Sequence, residues 1–356
     1  MHENCHAVRN SGTNNSNANP DASLSQSENS MKTIIPTIAA VIVLGIFIFI
    51  QWASLEPDVF DVTEEAVSHS GIDNIKQLPE GYIYTSTLAR IGETLINMNG
   101  DKNGGYITND PIFSVLMDNM PSWEAGALLV LRDAVSALRN HLARSQSQSK
   151  ENHNLSKAEP YFYFETDSWI IPPTEGEYGK GVDELHQYLA DLADKTNNDA
   201  NFFARADNLG QYLQVVEKRM GDLSHRLSLS AVQEADLRKD AGFADAGSTE
   251  RVLPVKTPWM DVDNIFHEAR GATWAFLHIF KAMRIDFEDT LEAKGAMETV
   301  DQIIDELENA QADTWSPVVL NGGGFGIWAN YSLTMANYVA HANANTIDLR
   351  ELLIKG

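Results

Sequence analysis

Apolar residues recur mainly three and four positions apart, which is the spacing of a helix that buries one face. Alternation with a period of two is scarce. The clearest pattern joins Leu209, Tyr212, Val216, Met220, Leu223 and Leu227. Similar patterns predict helices over 84–98, from an N-cap at Ser122 onward, from 178 onward, over 261–285, over 297–312 and over 327–354. The chain is therefore expected to be all-α, a bundle of packed antiparallel helices.

One stretch departs from this amphipathic pattern. Residues 34–53 contain no charged side chain over 20 positions, and as a helix they would span about 30 Å, the thickness of a bilayer's hydrocarbon core. Trp52 would lie at the membrane interface. A signal peptide would have a shorter apolar core and a small-x-small cleavage site, whereas Gln51 and Trp52 precede Ala53 here. A single uncleaved transmembrane helix over 32–53 is the favoured prediction.

The segments on either side of this span differ in composition. Residues 1–31 are rich in Asn and Ser without an apolar period, which predicts a disordered cytoplasmic tail or a mis-assigned start before Met31. The exported part divides into helical region 1 (54–229), a polar linker (230–258) and helical region 2 (259–356) that packs on region 1. The two regions form either one bundle or two sub-bundles.

Charge and cysteine content restrict location and partners. The chain has 50 acidic and 26 basic residues, a net charge of −24, and such a field repels nucleic acid. Lys32 precedes the apolar span and acidic residues follow it, so the positive-inside rule places the N-terminus in the cytoplasm. The main domain would then lie in a bacterial periplasm. Cys5 is the single cysteine, which excludes intramolecular disulfides and cysteine zinc clusters.

Residues 314–347 contain no Asp, Glu, Lys or Arg over 34 positions, which predicts a helix surrounded by protein on most sides. Its helical projection aligns a polar stripe. We interpret the stripe either as a buried polar network or as the wall of a cleft that binds a polar neutral ligand. The glycine-rich stretch 321–326 has neither phosphate-binding fingerprint, so a hinge is expected there. The candidate ligand-binding residues are Asn330, Thr334, Asn337, His341 and Asn345.

No catalytic residue is assigned, but three are candidates for acid–base chemistry. Glu124 shares a helix face with buried leucines, where a carboxylate is either paired or raised in pKa. Asp263 and His267 are spaced i, i+4 and could touch. A zinc-protease motif would need a second histidine at 271, where Gly271 stands, so neither a metal site nor a cofactor is predicted.

Several motifs occur in an order that resembles one family, the bacterial membrane proteins grouped as domain of unknown function 2333. The resemblance covers 31–356 and implies an envelope protein of Gram-negative-type bacteria, without implying an activity. The motifs are GGYITND (104–110), DNMPSWEAG (118–126), ARSQSQS (143–149), YFYFETDSW (161–169), ARADNL (204–209), VEKRMG (216–221), FHEARGATWA (266–275) and WSPVVLNGGGFGIWAN (315–330).

The expected function follows from these features. We predict an inner-membrane protein with one anchor and a periplasmic helical domain that has a binding or scaffolding role in the envelope. Its partner would be an envelope protein or a polar small molecule, not nucleic acid, and the oligomeric state is open. The alternative is an envelope hydrolase that cleaves cell-wall glycans with a buried carboxylate. The sequence leans against an enzyme.

Overall fold

A computed structural model describes residues 35–45, 56–96, 106–111, 114, 119–144, 151–194, 196, 200–231, 257–258, 261–312, 319 and 331–355. All regular elements in these ranges are helices and none is a strand, which confirms the all-α prediction. They include a 3-10 turn at Ile75–Gln77 and a π-helical turn at Leu138–Leu142. From residue 56 onward the α-helices are α1 (Val62–Ser70), α2 (Tyr82–Ile96), α3 (Asn119–Ala137), α4 (His153–Phe162), α5 (Thr174–Ala193), α6 (Ala206–Ala231), α7 (Val262–Asp286), α8 (Glu288–Ala293), α9 (Met297–Ala310) and α10 (Tyr331–Lys355).

The chain forms two compact units, Met1–Ala53 and Ser54–Gly356. In the first unit, residues 35–45 form a helix whose apolar side chains are exposed. Among the described helices, none combines the length and the apolar character needed to cross a membrane. Residues 32–34 and 46–53 of the predicted span lie outside the described ranges. The anchor therefore stays a prediction.

Within the second unit, α7 lies at the centre and packs against α2, α3, α6, α9 and α10. The closest approach is between α3 and α7, where two glycines face the opposite backbone. A Cβ at Gly126 would lie 1.9 Å from the Glu268 carbonyl oxygen, and one at Gly271 would lie 1.9 Å from the Trp123 carbonyl oxygen. Since any larger residue would overlap backbone atoms, these glycines set the distance between the two helices.

The C-terminal helix α10 packs on α6 and α9, so helices from both sides of the predicted 230–258 linker contact each other. Two ion pairs connect α6 to the centre of the bundle: Arg226 with Glu268 on α7, and Arg219 with Asp133 on α3. The buried face of α10 follows a regular three-and-four spacing that predicts contact with one side of the bundle. Its buried residues are Ser332, Met335, Ala336, Val339, Ala342, Thr346, Leu349 and Leu353.

Several helix boundaries differ from the sequence prediction. Ser122 does not begin a helix, because α3 begins at Asn119 and Ser122 lies within its first turn. The short helices α1 and α4 were not predicted, and α6 extends through the first two residues of the expected linker, Ser230 and Ala231. Most of that linker, the tail 1–31 and the glycine-rich stretch 321–326 lie outside the described residues.

Candidate functional site

Glu124, the first acid–base candidate, lies on α3 and is fully buried, as its position on an apolar face predicted. One of its carboxylate oxygens accepts a hydrogen bond from the Ile107 N–H at 2.9 Å. The other accepts hydrogen bonds from the Thr108 N–H at 2.9 Å and from the Thr108 hydroxyl. Burial raises the pKa of Glu124 to about 7, although the three hydrogen bonds act to lower it. The carboxyl group therefore holds residues 106–111 against α3.

Asp263 and His267 do not form the expected pair. His267 Nδ1 lies 3.1 Å from a carboxylate oxygen of Glu56, whose other oxygen accepts a hydrogen bond from Arg270 Nε at 2.6 Å. Asp263 lies in the first turn of α7 and accepts a hydrogen bond from the Asn264 N–H. Burial acts to raise the pKa of Glu56, but His267 and Arg270 together lower it. This network joins the segment before α1 to α7. The role of His267 in it is structural, because its ring pairs with Glu56.

The polar stripe of α10 is not buried as expected. Thr334, Asn337 and His341 are exposed and Asn345 is half-buried, while Asn330 lies outside the described residues. An uncharged helix face can therefore be a solvent-exposed one, because Asn and Thr are well hydrated without carrying charge. His341 and Asn345 line a depression of about 380 Å³ between α9 and α10, and His341 Nδ1 lies 3.4 Å from a Glu306 oxygen. Ligand binding by the stripe stays a prediction.

A cluster that the sequence did not reveal combines two histidines and a glutamate from three helices. His69 lies in the last turn of α1, which Gly71 ends with a left-handed conformation, φ +66°. Glu93 lies on α2 and His186 on α5. The α1–α2 and α2–α5 packing brings these side chains together at the surface of the second unit.

The three side chains are close enough to act on one ligand. His186 Nε2 lies 2.9 Å from a Glu93 carboxylate oxygen. The rings of His69 and His186 are stacked, with centroids 4.3 Å apart and an angle of 23° between their planes. One potential metal-ligating atom from each of the three residues lies within 4.8 Å of the other two. Within the described residues, no other group of three such side chains meets this criterion.

The charges around this cluster are partly balanced. The guanidinium of Arg90 lies 3.6 Å from a Glu65 oxygen and 3.6 Å from the second oxygen of Glu93. Burial acts to raise the pKa of Glu93, but the hydrogen bond and charge of His186 and the charge of Arg90 together lower it. His186 Nδ1 is buried and has no hydrogen-bond partner among the described residues. The cluster thus holds an ionised carboxylate next to an imidazole with one unused nitrogen.

His69 and His186 also line a cavity of about 690 Å³ between α1, the 3-10 turn and α5. In a chain with a net charge of −24, the described lining of this cavity carries Lys76, two imidazoles and no carboxylate. The rest of the lining is largely apolar, which is typical of small-molecule sites with a few polar groups. The apolar lining residues are Ile72, Leu78, Pro79, Leu189, Ala190, Leu192 and Ala193.

A larger cavity, of about 870 Å³, lies between α6, α8 and the end of α10. Both of its arginines are already paired, Arg205 with Asp207 and Arg350 with Glu217, and its lining contains the carboxylates of Asp207 and Asp289. A ligand there would have to compete with these ion pairs for the guanidinium groups. The cavity beside His69 and His186 is therefore the better candidate for a binding site.

The fold and this cavity define the protein as an all-α domain with an imidazole-lined cavity. A family model described as "Uncharacterized protein conserved in bacteria (DUF2333)" matches residues 25–356, and the chain belongs to this family. The match confirms the family resemblance found in the sequence motifs. No curated protein and no solved structure matches the chain.

Proposed function

We propose that the protein is a membrane-anchored binding protein of the bacterial cell envelope, in which the cavity beside His69 and His186 holds a small organic anion. The observation that carries this proposal is the charge of the cavity. A cation and two imidazoles without a described carboxylate favour an anionic group, and the leucines favour an attached hydrocarbon part. The ligand class is therefore a small carboxylate with an apolar portion.

The proposed location rests on the sequence. The uncharged residues 34–53, with Lys32 before them and acidic residues after them, support an inner-membrane anchor with a cytoplasmic N-terminus. The main domain would then face the periplasm. Family membership supports a bacterial protein, and the acidic domain suits a partner or ligand from the envelope in place of nucleic acid.

Calorimetric titration of the full chain, freed of metal on a chelating resin, tests the cavity. The probes are hexanoate and its neutral amide, hexanamide, which differ in charge at nearly constant shape. We expect saturable binding of hexanoate and weaker binding of hexanamide. Lys76→Gln should reduce hexanoate affinity by up to about 5-fold, the effect of losing one exposed charge interaction of at most about 1 kcal/mol.

The matched control is Lys294→Gln, because Lys294 lines the larger cavity near α8. This variant should leave hexanoate binding unchanged. Equal binding of the acid and the amide, or equal losses in the two lysine variants, would contradict a charge-selective site beside His69 and His186.

The hydrolase alternative has one supporting feature. A carboxyl group whose pKa is about 7 is half protonated at neutral pH, as a general acid should be. Yet both oxygens of Glu124 already accept hydrogen bonds from Ile107 and Thr108, and the side chain is fully buried. A substrate would have to displace residues 106–111 to reach it. We therefore place binding before hydrolysis.

A further inference from the structure

We propose that His69, Glu93 and His186 bind one divalent transition-metal ion, and that Zn²⁺ fits this set of ligands best. Two imidazoles and one carboxylate are a set found at zinc sites that keep a fourth position open. Two of the three ligands, His69 and His186, line the cavity proposed above, but metal binding does not depend on the organic anion. It adds a metal to a chain whose sequence predicted none.

The geometry requires only small side-chain movements. Zinc binds imidazole nitrogen and carboxylate oxygen at roughly 2.0–2.2 Å, so the ligand atoms of a tetrahedral site stand about 3.4 Å apart. The present separation of His186 Nε2 and Glu93 Oε1 is 2.9 Å, and all three ligand atoms lie within 4.8 Å of one another. His69 is exposed, and its ring can therefore turn toward a metal without disturbing the core. The stacked rings would separate as their nitrogens converge.

The surrounding charges allow a divalent cation. Arg90, Glu65 and Glu93 together carry one net negative charge. Arg90 contacts Glu93 through Oε2, whereas Oε1 is hydrogen-bonded to His186 Nε2. Metal binding would replace that hydrogen bond, and any proton on Nε2 would move to Nδ1 or to solvent. When Oε1 binds the ion, Arg90 keeps its contacts with Glu65 and with Oε2. The guanidinium then orients the metal-ligating carboxylate, as a neighbouring hydrogen-bond donor does in many metal sites.

The open fourth position would face the cavity, because His69 and His186 both line it. Water or the carboxylate of an organic anion would occupy that position. Lys76, which also lines the cavity, adds a second attraction for an anion. A bound metal and Lys76 would together make this cavity positively charged within a strongly acidic protein.

Equilibrium dialysis of the full chain against Zn²⁺, with protein-bound metal measured by mass spectrometry, tests this site. We expect one Zn²⁺ per chain. His69→Ala and His186→Ala should each weaken binding by at least about 10-fold, because loss of even a group that only orients a metal ligand costs 10–100-fold. Glu93→Gln should weaken binding as well. With Co²⁺ as the probe, the wild-type chain should show the visible absorption of a tetrahedral site, and His69→Ala should lose it.

His341→Ala is the matched control, since His341 is also exposed and also lies next to a single glutamate, Glu306. It should keep wild-type zinc affinity. The proposal is overturned if the wild-type chain binds no Zn²⁺, or if His69→Ala binds it as tightly as wild type. His69→Ala decides the matter even if His186→Ala misfolds, because His69 is exposed. Hexanoate titrations use metal-free protein, so a failed anion site and a failed metal site give separate results.

Discussion

Two carboxyl groups, the fully buried Glu124 and the half-buried Asp286, illustrate how single residues control this bundle. Each has a pKa raised to about 7, mainly by burial. Asp286 accepts hydrogen bonds from the N–H groups of Tyr84 and Gly81 at the start of α2, much as Glu124 accepts them from residues 107–108. In both places a long-range carboxyl satisfies backbone donors that would otherwise be buried without partners.

Glu124→Gln should therefore change how stability depends on pH. The folded-state pKa of Glu124 is about 7 against 4.5 for the free group, so its favourable contribution is complete below pH 4.5 and is lost as pH rises toward 7. The free energy of unfolding of wild type minus that of the variant should fall by about 3 kcal/mol between pH 4 and pH 8. Urea unfolding of the full chain at several pH values measures it.

Glu56→Gln provides an internal control with the opposite sign. The pKa of Glu56 is lowered in the folded state, so its contribution is present above the ordinary pKa and is lost as pH falls. The corresponding difference should rise with pH. A flat profile for Glu124→Gln would show that the carboxyl is not protonated in the folded protein near neutral pH.

At the scale of helices, the crossing of α3 and α7 is the most restrictive contact. Gly271→Ala would place a methyl carbon 1.9 Å from the Trp123 carbonyl oxygen, and the two backbones would have to separate. We expect a loss of at least about 3 kcal/mol of stability, the upper part of the range for overpacking, measured by urea unfolding. A Cβ added at Gly210, on α6, would have no atom within 4 Å. Gly210→Ala should therefore stabilise the folded protein by about 0.5–1 kcal/mol.

These two glycines also separate what was predictable from what was not. The apolar face of α6 and the bounds of α7 and α9 follow from local apolar periodicity, which can be found in a single sequence. The need for Gly271 does not, because it depends on where α3 crosses α7. The short helices α1 and α4 lack a long pattern, and Ser122 was misread because a serine in a first turn resembles an N-cap.

The candidate site was hidden for the same reason. Glu93 and His186 are 93 residues apart in the chain, and neither interrupts the apolar pattern of its own helix. Only the packing of α1, α2 and α5 brings them together with His69. By contrast, the stripe from Thr334 to His341 was conspicuous in the sequence but lies exposed on α10, because the absence of charge records polarity and not burial.

At the scale of the whole molecule, the charge asymmetry around residues 34–53 predicts a membrane orientation that can be tested. Cys5 is the single cysteine, so the chain expressed from Met1 already contains a unique label on the proposed cytoplasmic side. In intact spheroplasts a membrane-impermeant maleimide should not modify Cys5, and it should do so after permeabilisation. Ser68→Cys in a Cys5→Ser background places the label at an exposed position of α1 and should react before permeabilisation.

The two labels, Cys5 and Ser68→Cys, report the sides of the membrane on which the N-terminus and the main domain lie. If Cys5 is labelled and Ser68→Cys is protected in intact spheroplasts, the topology is the reverse of the proposed one. The positive-inside rule would then have failed for Lys32. Labelling of neither position before permeabilisation would place the main domain in the cytoplasm. In that case the hexanoate and zinc experiments would still test the cavity. The charge and the imidazoles of the cavity come from the fold of residues 54–356 and do not depend on the side of the membrane on which the domain lies.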